Sequence, residues 1–207
     1  MNVAKKVALI GASGFIGSRL LAELSARGHA VTAITRNPEK VAALPGVTAV
    51  KGDVFDKDAL AGLIAGHDAV ISAVHFTASD PQVLLAAVKQ SGVKRYLVVG
   101  GAGSLEVAPG VKLFNTPQFP AAYLDEARKG GIFLDLLKQE QGLDWTFLSP
   151  SALIQPGERT GKFRLGTDHL LVDDKGNSAI SAEDYAIALV DELEKPAHSR
   201  RRFTVGY

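Results

Sequence analysis

Val7-Ala8-Leu9-Ile10-Gly11-Ala12-Ser13-Gly14-Phe15-Ile16-Gly17 is the stretch whose reading decides the fold. It reads as an apolar strand, a glycine-punctuated turn and the first turn of a helix. The helix signal is Ile16, Leu20, Leu21 and Leu24, spaced as one face of a 3.6-residue repeat. Gly28 with His29 stops that helix, and Ala30-Val31-Thr32-Ala33-Ile34-Thr35 reads as the next strand. Strand, glycine turn, helix and strand within about thirty residues form the context that a dinucleotide-binding unit requires. A pyrophosphate must sit against bare N–H groups at a helix N-terminus, where the helix dipole is positive. Gly11 then opens the turn, Gly14 lets the phosphates approach and Gly17 lets the helix pack closely on the sheet. Ser13, Phe15 and Ile16 share the turn and belong to the same candidate binding set. The spacing is G-x-x-G-x-x-G rather than G-x-G-x-x-G, and a purely structural strand-to-helix turn is the alternative.

Outward from this unit, strand and helix patterns alternate. Asn37 as N-cap and Pro38 at the first helical position predict a short helix to Leu44. Val47–Lys51 reads as a third strand, residues 56–65 as a helix and Ala69–Val74 as a fourth strand. Pro81–Gln90 is a helix and Tyr96–Val99 a fifth strand. Residues 104–120, with Pro109, Gly110, Pro117 and Pro120, read as loop. Ala121–Gln141 returns to helix and Trp145–Leu148 to a sixth strand. Leu170–Val172 and Ser178–Ile180, flanking Asp173-Asp174-Lys175-Gly176-Asn177, predict a strand-turn-strand unit. Ser181-Ala182-Glu183-Asp184 is a capping box opening a helix to Glu194, and Arg202–Val205 reads as a closing strand. Most of the strands are continuous apolar runs, as in a parallel sheet buried on both faces. The fold class is therefore α/β, a doubly wound parallel sheet with helices on both faces.

With 207 residues the chain can build one sizeable core and is short for two domains, so residues 1–207 read as a single domain. A net charge of +1 leaves no domain-wide basic excess, which counts against a nucleic-acid partner. Arg200-Arg201-Arg202 is expected to be a solvated cluster. The absence of cysteine removes disulfides, thiolate nucleophiles and cysteine-ligated metals, and no His/Asp/Glu spacing suggests a metal. Gly-x-Ser-x-Gly is absent, so a serine hydrolase has no support. Met1–Lys6 carries no long apolar run with a cleavage site, and no stretch reaches the ~18 apolar residues that span a bilayer. A cytoplasmic protein without a membrane partner is expected.

The turn Gly11-Ala12-Ser13-Gly14-Phe15-Ile16-Gly17 resembles that of the short-chain dehydrogenase/reductase superfamily, in its extended and atypical branches. Val98-Val99-Gly100-Gly101-Ala102-Gly103-Ser104 and Ser149-Pro150-Ser151-Ala152 resemble a smaller group within it. These are compact atypical members related to biliverdin reductase B, NmrA-like proteins and NAD(P)H-flavin reductases. The resemblance runs over nearly the whole chain and implies a Rossmann-like sheet of strand order 3-2-1-4-5-6. It also implies a substrate-covering segment at about 150–207, short here, hence a shallow substrate site. Asp53 and Val54 match where relatives contact the adenine, although Asp53 could simply cap the next helix. Ser72, Ala73 and Val74 end the fourth strand at the carboxyl edge of the sheet, where ligands lie in such folds. Ser149 and Pro150 match the segment that meets the carboxamide end of the nicotinamide.

An NAD site usually carries an acidic residue at the end of the second strand, where it bonds the ribose 2′-OH. None occurs from Ala30 to Pro38; Thr35-Arg36-Asn37 stands there instead. A guanidinium pairs with a 2′-phosphate, so Arg36 predicts NADP (NADPH), with Lys40 assisting. A solvated surface arginine is the alternative. The superfamily's Tyr-x-x-x-Lys pair is missing: Tyr96 is followed four residues on by Gly100, Tyr123 by Ala127 and Tyr185 by Leu189, and Tyr207 is last. That counts against carbonyl–alcohol chemistry and against sugar epimerase or dehydratase chemistry. A flavin, quinone or conjugated tetrapyrrole needs no such pair, because delocalisation stabilises its reduced anion and water supplies the proton. Ser104, in the superfamily's catalytic-serine region, His75 at the ligand edge and Tyr123 on the helix of the missing motif are the candidate catalytic residues; His169 ranks below them. Each has a structural alternative, as a turn serine, a loop histidine and a packing tyrosine. The expectation is an NADPH-dependent oxidoreductase, monomer or homodimer, passing hydride to a small conjugated acceptor, with a flavin as substrate. The rivals are an NmrA-type sensor that binds NADP without turnover, and an epimerase/dehydratase-like enzyme.

Overall fold

The computed structural model describes residues 3–207; Met1 and Asn2, part of the N-terminal stretch read above, lie outside the described residues. In chain order the elements are β1 (Lys6–Ile10), α1 (Phe15–Ala26), β2 (Ala30–Thr35), β3 (Val47–Lys51), α2 (Lys57–Ile64), β4 (Ala69–Ser72), α3 (Pro81–Ser91) and β5 (Arg95–Val99). There follow β6 (Glu106–Ala108), β7 (Val111–Lys112), α4 (Leu124–Gln139), β8 (Asp144–Ser149), β9 (Leu153–Gln155), β10 (Arg164–Gly166), β11 (Ala179–Ser181), α5 (Ala182–Glu194) and β12 (Arg201–Gly206).

The main sheet runs β3-β2-β1-β4-β5-β8-β12-β10. The first seven strands are parallel and β10 closes the edge antiparallel to β12. The first six reproduce the expected 3-2-1-4-5-6 order, and Arg202–Val205 lies within a seventh parallel strand. Alternate residues of β1 feed opposite cores, as a two-unit strand repeat demands. Val7 and Leu9 join Leu20, Leu21, Leu24, Tyr185 and Leu189 of α1 and α5. Ala8 and Ile10 join Leu60, Ile64, Leu84, Val88, Phe133 and Leu137 of α2, α3 and α4. Each fully buried leucine or phenylalanine stabilises by roughly 1.5–3 kcal/mol, which is why these strands read as unbroken apolar runs.

Several local expectations are corrected. The helix from Pro38 to Leu44 is only a 3-10 turn at Pro38–Lys40, and the Asn37 side chain caps nothing. Val41 turns extended, and Val41 and Leu44 pack on the α1 core instead. The fourth strand stops at Ser72. The expected loop at 104–120 holds the small β6–β7 hairpin and a 3-10 turn at Leu113–Asn115. The turn at 173–177 forms, with Asp173 N donating to Asn177 O, but residues 170–172 are not a strand. Leu171 lies over Gly166 and Gly206 instead, and β11 pairs in parallel with β9.

The capping box is half made. Ser181 Oγ accepts from Asp184 N, while the Asp184 carboxylate turns away to Thr160 N, Thr160 Oγ1, Gly161 N and Tyr207 Oη. The segment 150–207 is therefore not one cover. Its α5 and β12 are core, and residues 157–161 are tied down on α1 and α5 through Arg159–Glu23, Gly157–Glu183 and Thr160–Asp184. Among the described residues no helix is long and apolar enough to cross a membrane.

Candidate cofactor and substrate site

The carboxyl ends of β1, β2 and β4 converge on the glycine turn, and that of β8 lies on the same edge of the parallel sheet. Gly11 has φ +83°, and a Cβ there would lie 2.5 Å from Ala73 O and 2.9 Å from Val74 Cγ1. The chain leaving β4 thus walls the turn through Ala73 and Val74, and Ala73 N donates to Ile10 O. A Cβ on Gly17 would stand 2.0 Å from Gly11 O, so this glycine seats the helix on the turn's own carbonyl rather than on the sheet. Gly14 differs: a Cβ there meets nothing closer than Gly11 O at 3.3 Å. The protein itself would nearly tolerate a side chain at 14, so the open face there is explained by something that must approach from outside. Gly14 is the N-cap of α1, with no side-chain cap and no acid in the first turn. The free N–H groups that follow and the positive end of the helix are left for an anion.

The remaining cofactor candidates fall around this turn. Ser13 Oγ is hydrogen-bonded to Thr35 Oγ1 at 2.8 Å, fastening the turn to the end of β2. Phe15 is exposed, with the Arg19 guanidinium 4.8 Å over its ring, and Ile16 packs on the α1 core. Arg36, next along, is exposed, and among the described residues its side chain has no hydrogen bond or ion pair. Asp53 does not cap α2; its carboxylate accepts from Phe55 N, and Asp56 takes the cap through Ala59 N. Val54 is half-buried against the α2 core. Ser72 is a correction at the level of the side chain. Its hydroxyl is buried against Tyr96 Oη at 2.9 Å, so only its backbone remains for a ligand. Burial pushes the Tyr96 phenol well up, with the Ser72 bond opposing it, so this tyrosine is a neutral core group. At the end of β8, Pro150 is buried and Ser149 Oγ is buried without a partner among the described residues. An unsatisfied buried hydroxyl costs about 1–3 kcal/mol, which a ligand hydrogen bond relieves. Bare helix amides at one strand end and an orphaned hydroxyl at another fit an extended dinucleotide.

The three catalytic candidates do not assemble. His75 (82% exposed side chain) follows β4 and places Nδ1 3.3 Å from Glu126 Oε1. Glu126, one helical turn beyond Tyr123 on α4, also accepts from Phe76 N and Thr77 N at 2.8 Å and from Thr77 Oγ1 at 2.7 Å. Burial pushes the Glu126 carboxyl up, but the Thr77 hydroxyl, the two amides and His75 outweigh it and hold the group below the usual carboxylate range. Tyr123 is 65% exposed just ahead of α4, so it does not pack. Ala127, at the position of the absent lysine, sits against the loop after β5: a Cβ on Gly103 would lie 2.6 Å from Ala127 Cβ. Ser104 lies on the other flank of α4. It is 6% exposed, and its Oγ accepts from Arg202 Nη1 at 3.0 Å. It lines a groove whose walls include neither His75 nor Tyr123.

Glu126 and Arg202 escape the sequence reading. Glu126 has no spacing signature, because its partners precede it by about fifty positions, 49 to 51 in sequence. Arg202 is read as solvated from its two arginine neighbours, yet it is buried and paired with Asp168. His169 is exposed and pairs with Glu106. Among the described residues no cluster of His, Asp or Glu could hold a metal ion.

A family model described as NAD(P)H-binding matches residues 11–196. Among solved structures the chain is similar to a candidate exported protein from Burkholderia pseudomallei (48% identity, TM-score 0.89, 98% of this chain and 100% of that one). It is similar to a candidate epimerase from Bacteroides thetaiotaomicron (46% identity, TM-score 0.94, 99% and 98% covered). A candidate NADH-flavin reductase from Streptococcus pneumoniae matches at 38% identity and TM-score 0.82, over 98% and 99% of the two chains.

Proposed function

The chain belongs to the NAD(P)H-binding family, and from that premise we propose that it is an NADPH-dependent oxidoreductase passing hydride to a small conjugated acceptor, a flavin above all. The observation that carries the reading is the pairing of an intact glycine turn with a plugged proton-transfer position. Ala127 fits against Gly103 where a lysine chain would have to run, so no lysine stands there to lower the pKa of Tyr123. An acceptor whose reduced anion is delocalised does not need that pair. The name of the Streptococcus pneumoniae relative supports the same acceptor class.

When bound, the nicotinamide supplies the hydride from its C4. The chain's own groups do the positioning. The N–H groups at the start of α1 hold the diphosphate. The Arg36 guanidinium, without a side-chain partner among the described residues, would take the adenosine 2′-phosphate. Ser149 Oγ meets the carboxamide, and His75 stands at the mouth with Nδ1 on Glu126. That bond fixes the ring and leaves Nε2 free to hold a proton near the acceptor. A cytoplasmic setting goes with this chemistry.

The missing pair equally suits a sensor that binds NADP and turns nothing over. The Bacteroides thetaiotaomicron relative's name favours an epimerase, which would need a proton-transfer pair at the crevice. NADPH oxidation by the purified protein with FMN, FAD or a quinone separates the reductase from the sensor, and a sugar nucleotide bound in the crevice would mark the epimerase. Turnover above a protein-free control is expected; a rate equal to that control sinks the reductase and favours the sensor.

A further inference from the structure

Behind α4, away from His75, a groove of about 650 Å³ runs between α4, the start of β12 and residues 167–169. Its size is that of a small-molecule site, but its lining is not the apolar one usual for such sites. Five cations, among them Lys112, Lys138 and Arg201, face three carboxylates. Lys112 stacks on Phe114, and among the described residues neither it nor Arg201 has a carboxylate partner.

The wall of the groove is built rather than merely solvated. The Arg202 side chain is 5% exposed. Its Nε and Nη2 both donate to Asp168 Oδ1, at 2.9 and 2.7 Å, and its Nη1 donates to Ser104 Oγ. The second N–H of Nη1 and that of Nη2 have no protein partner among the described residues. Trp145, 2% exposed, also lines the groove, and its indole Nε1 has no partner among the described residues. A buried indole donor without an acceptor and the spare N–H groups of Arg202, beside cations that have no carboxylate partner among the described residues, are a surplus of donors and of positive charge, and an anion is what satisfies both.

We propose that this groove is a second ligand site, for a small organic or inorganic dianion held by Arg201, Lys112 and the buried Arg202. Two charges match the excess of cations over carboxylates. A dicarboxylate and a phosphate share that chemistry, and the site is independent of the coenzyme reading.

The chain has one tryptophan, and it lines this groove, so its fluorescence reports on the site directly. Malonate and inorganic phosphate are titrated separately, each against sodium chloride at equal ionic strength. The expected result is a saturable change in emission with one or both anions. It requires about tenfold more anion in the Lys112→Ala/Arg201→Ala double variant, the loss of charge-assisted hydrogen bonds. Arg201 is exposed and Lys112 half-buried, and an unchanged thermal midpoint checks that the variant folds. Saturation by malonate alone assigns the site to carboxylates, by phosphate alone to phosphates. A response that matches chloride, fails to saturate, or is the same in the double variant overturns the proposal.

Discussion

Arg36 shares its lack of a side-chain partner among the described residues with Arg128 and Arg201, and what sets it apart is its place at the end of β2, beside the glycine turn. Arg27, Arg95, Arg159 and Arg202 all sit in ion pairs, whereas Arg36 has no side-chain partner among the described residues. If it reads a 2′-phosphate, Arg36→Ala weakens NADP binding by the worth of a charge-assisted bond, roughly 1.5–3 kcal/mol or ten- to a hundredfold, and NAD hardly at all. Titration calorimetry with both coenzymes measures this; equal losses would mean that Arg36 does not read the phosphate. Arg36 was legible in the sequence because its place is fixed locally, at the end of a strand. Ser104 was legible only as a position. Its hydroxyl is taken by a residue 98 places away, and no local pattern carries that information.

At the scale of elements, helices are held by single side chains that reach strands and loops distant in the chain. Glu192 of α5, nearly buried, accepts from Arg95 Nη2 at 2.8 Å, His198 Nδ1 at 2.8 Å and the amides of Ala197 and His198. Burial pushes its carboxyl up, but His198, those amides and Arg95 hold it below the usual range. Removing it leaves the Arg95 guanidinium buried without its best partner, and an uncompensated buried charge is costly. Glu192→Ala is expected to lose about 3 kcal/mol in urea unfolding; a loss below ~1 kcal/mol would show that solvent replaces the carboxylate. The helix α5 itself was plain from its N-cap and apolar face. What Asp184 does was not: it stands where a capping box puts its acid, yet it bonds Thr160 and Gly161.

The whole molecule is tied together by depressed carboxylates. Glu23 holds α1 to Arg159, Glu126 holds α4 to the turn after β4, Glu183 and Asp184 hold residues 157–161, and Glu192 holds α5 to β5. All five lie below their ordinary values of 4.5 for glutamate and 3.8 for aspartate. A carboxyl whose folded pKa is depressed contributes stability that is complete above its unfolded value and disappears as pH falls through the folded one. The thermal midpoint should therefore be level near neutrality and drop steeply below about pH 4.5. A midpoint unchanged down to pH 3 would mean these groups are not coupled to folding.

The alternation of strands and helices, the two-faced burial of β1 and the glycine turn were determined by the sequence itself, because each depends on periodicities and steric demands that act within a few residues; the strand order followed only from the family resemblance. Val7 to Ile10 alternate between two buried faces, and only glycine fits at 11 and 17, whatever lies elsewhere in the chain. Tertiary structure alone decided which polar groups are free. Arg202 is buried and bonded to Asp168, and Ser72 is spent on Tyr96, while among the described residues neither the Arg201 guanidinium nor the Ser149 hydroxyl has a partner. Hydrogen bonds are satisfied in space, between strands and loops distant in the chain, so the chemistry left over for a ligand emerges only once the fold has closed.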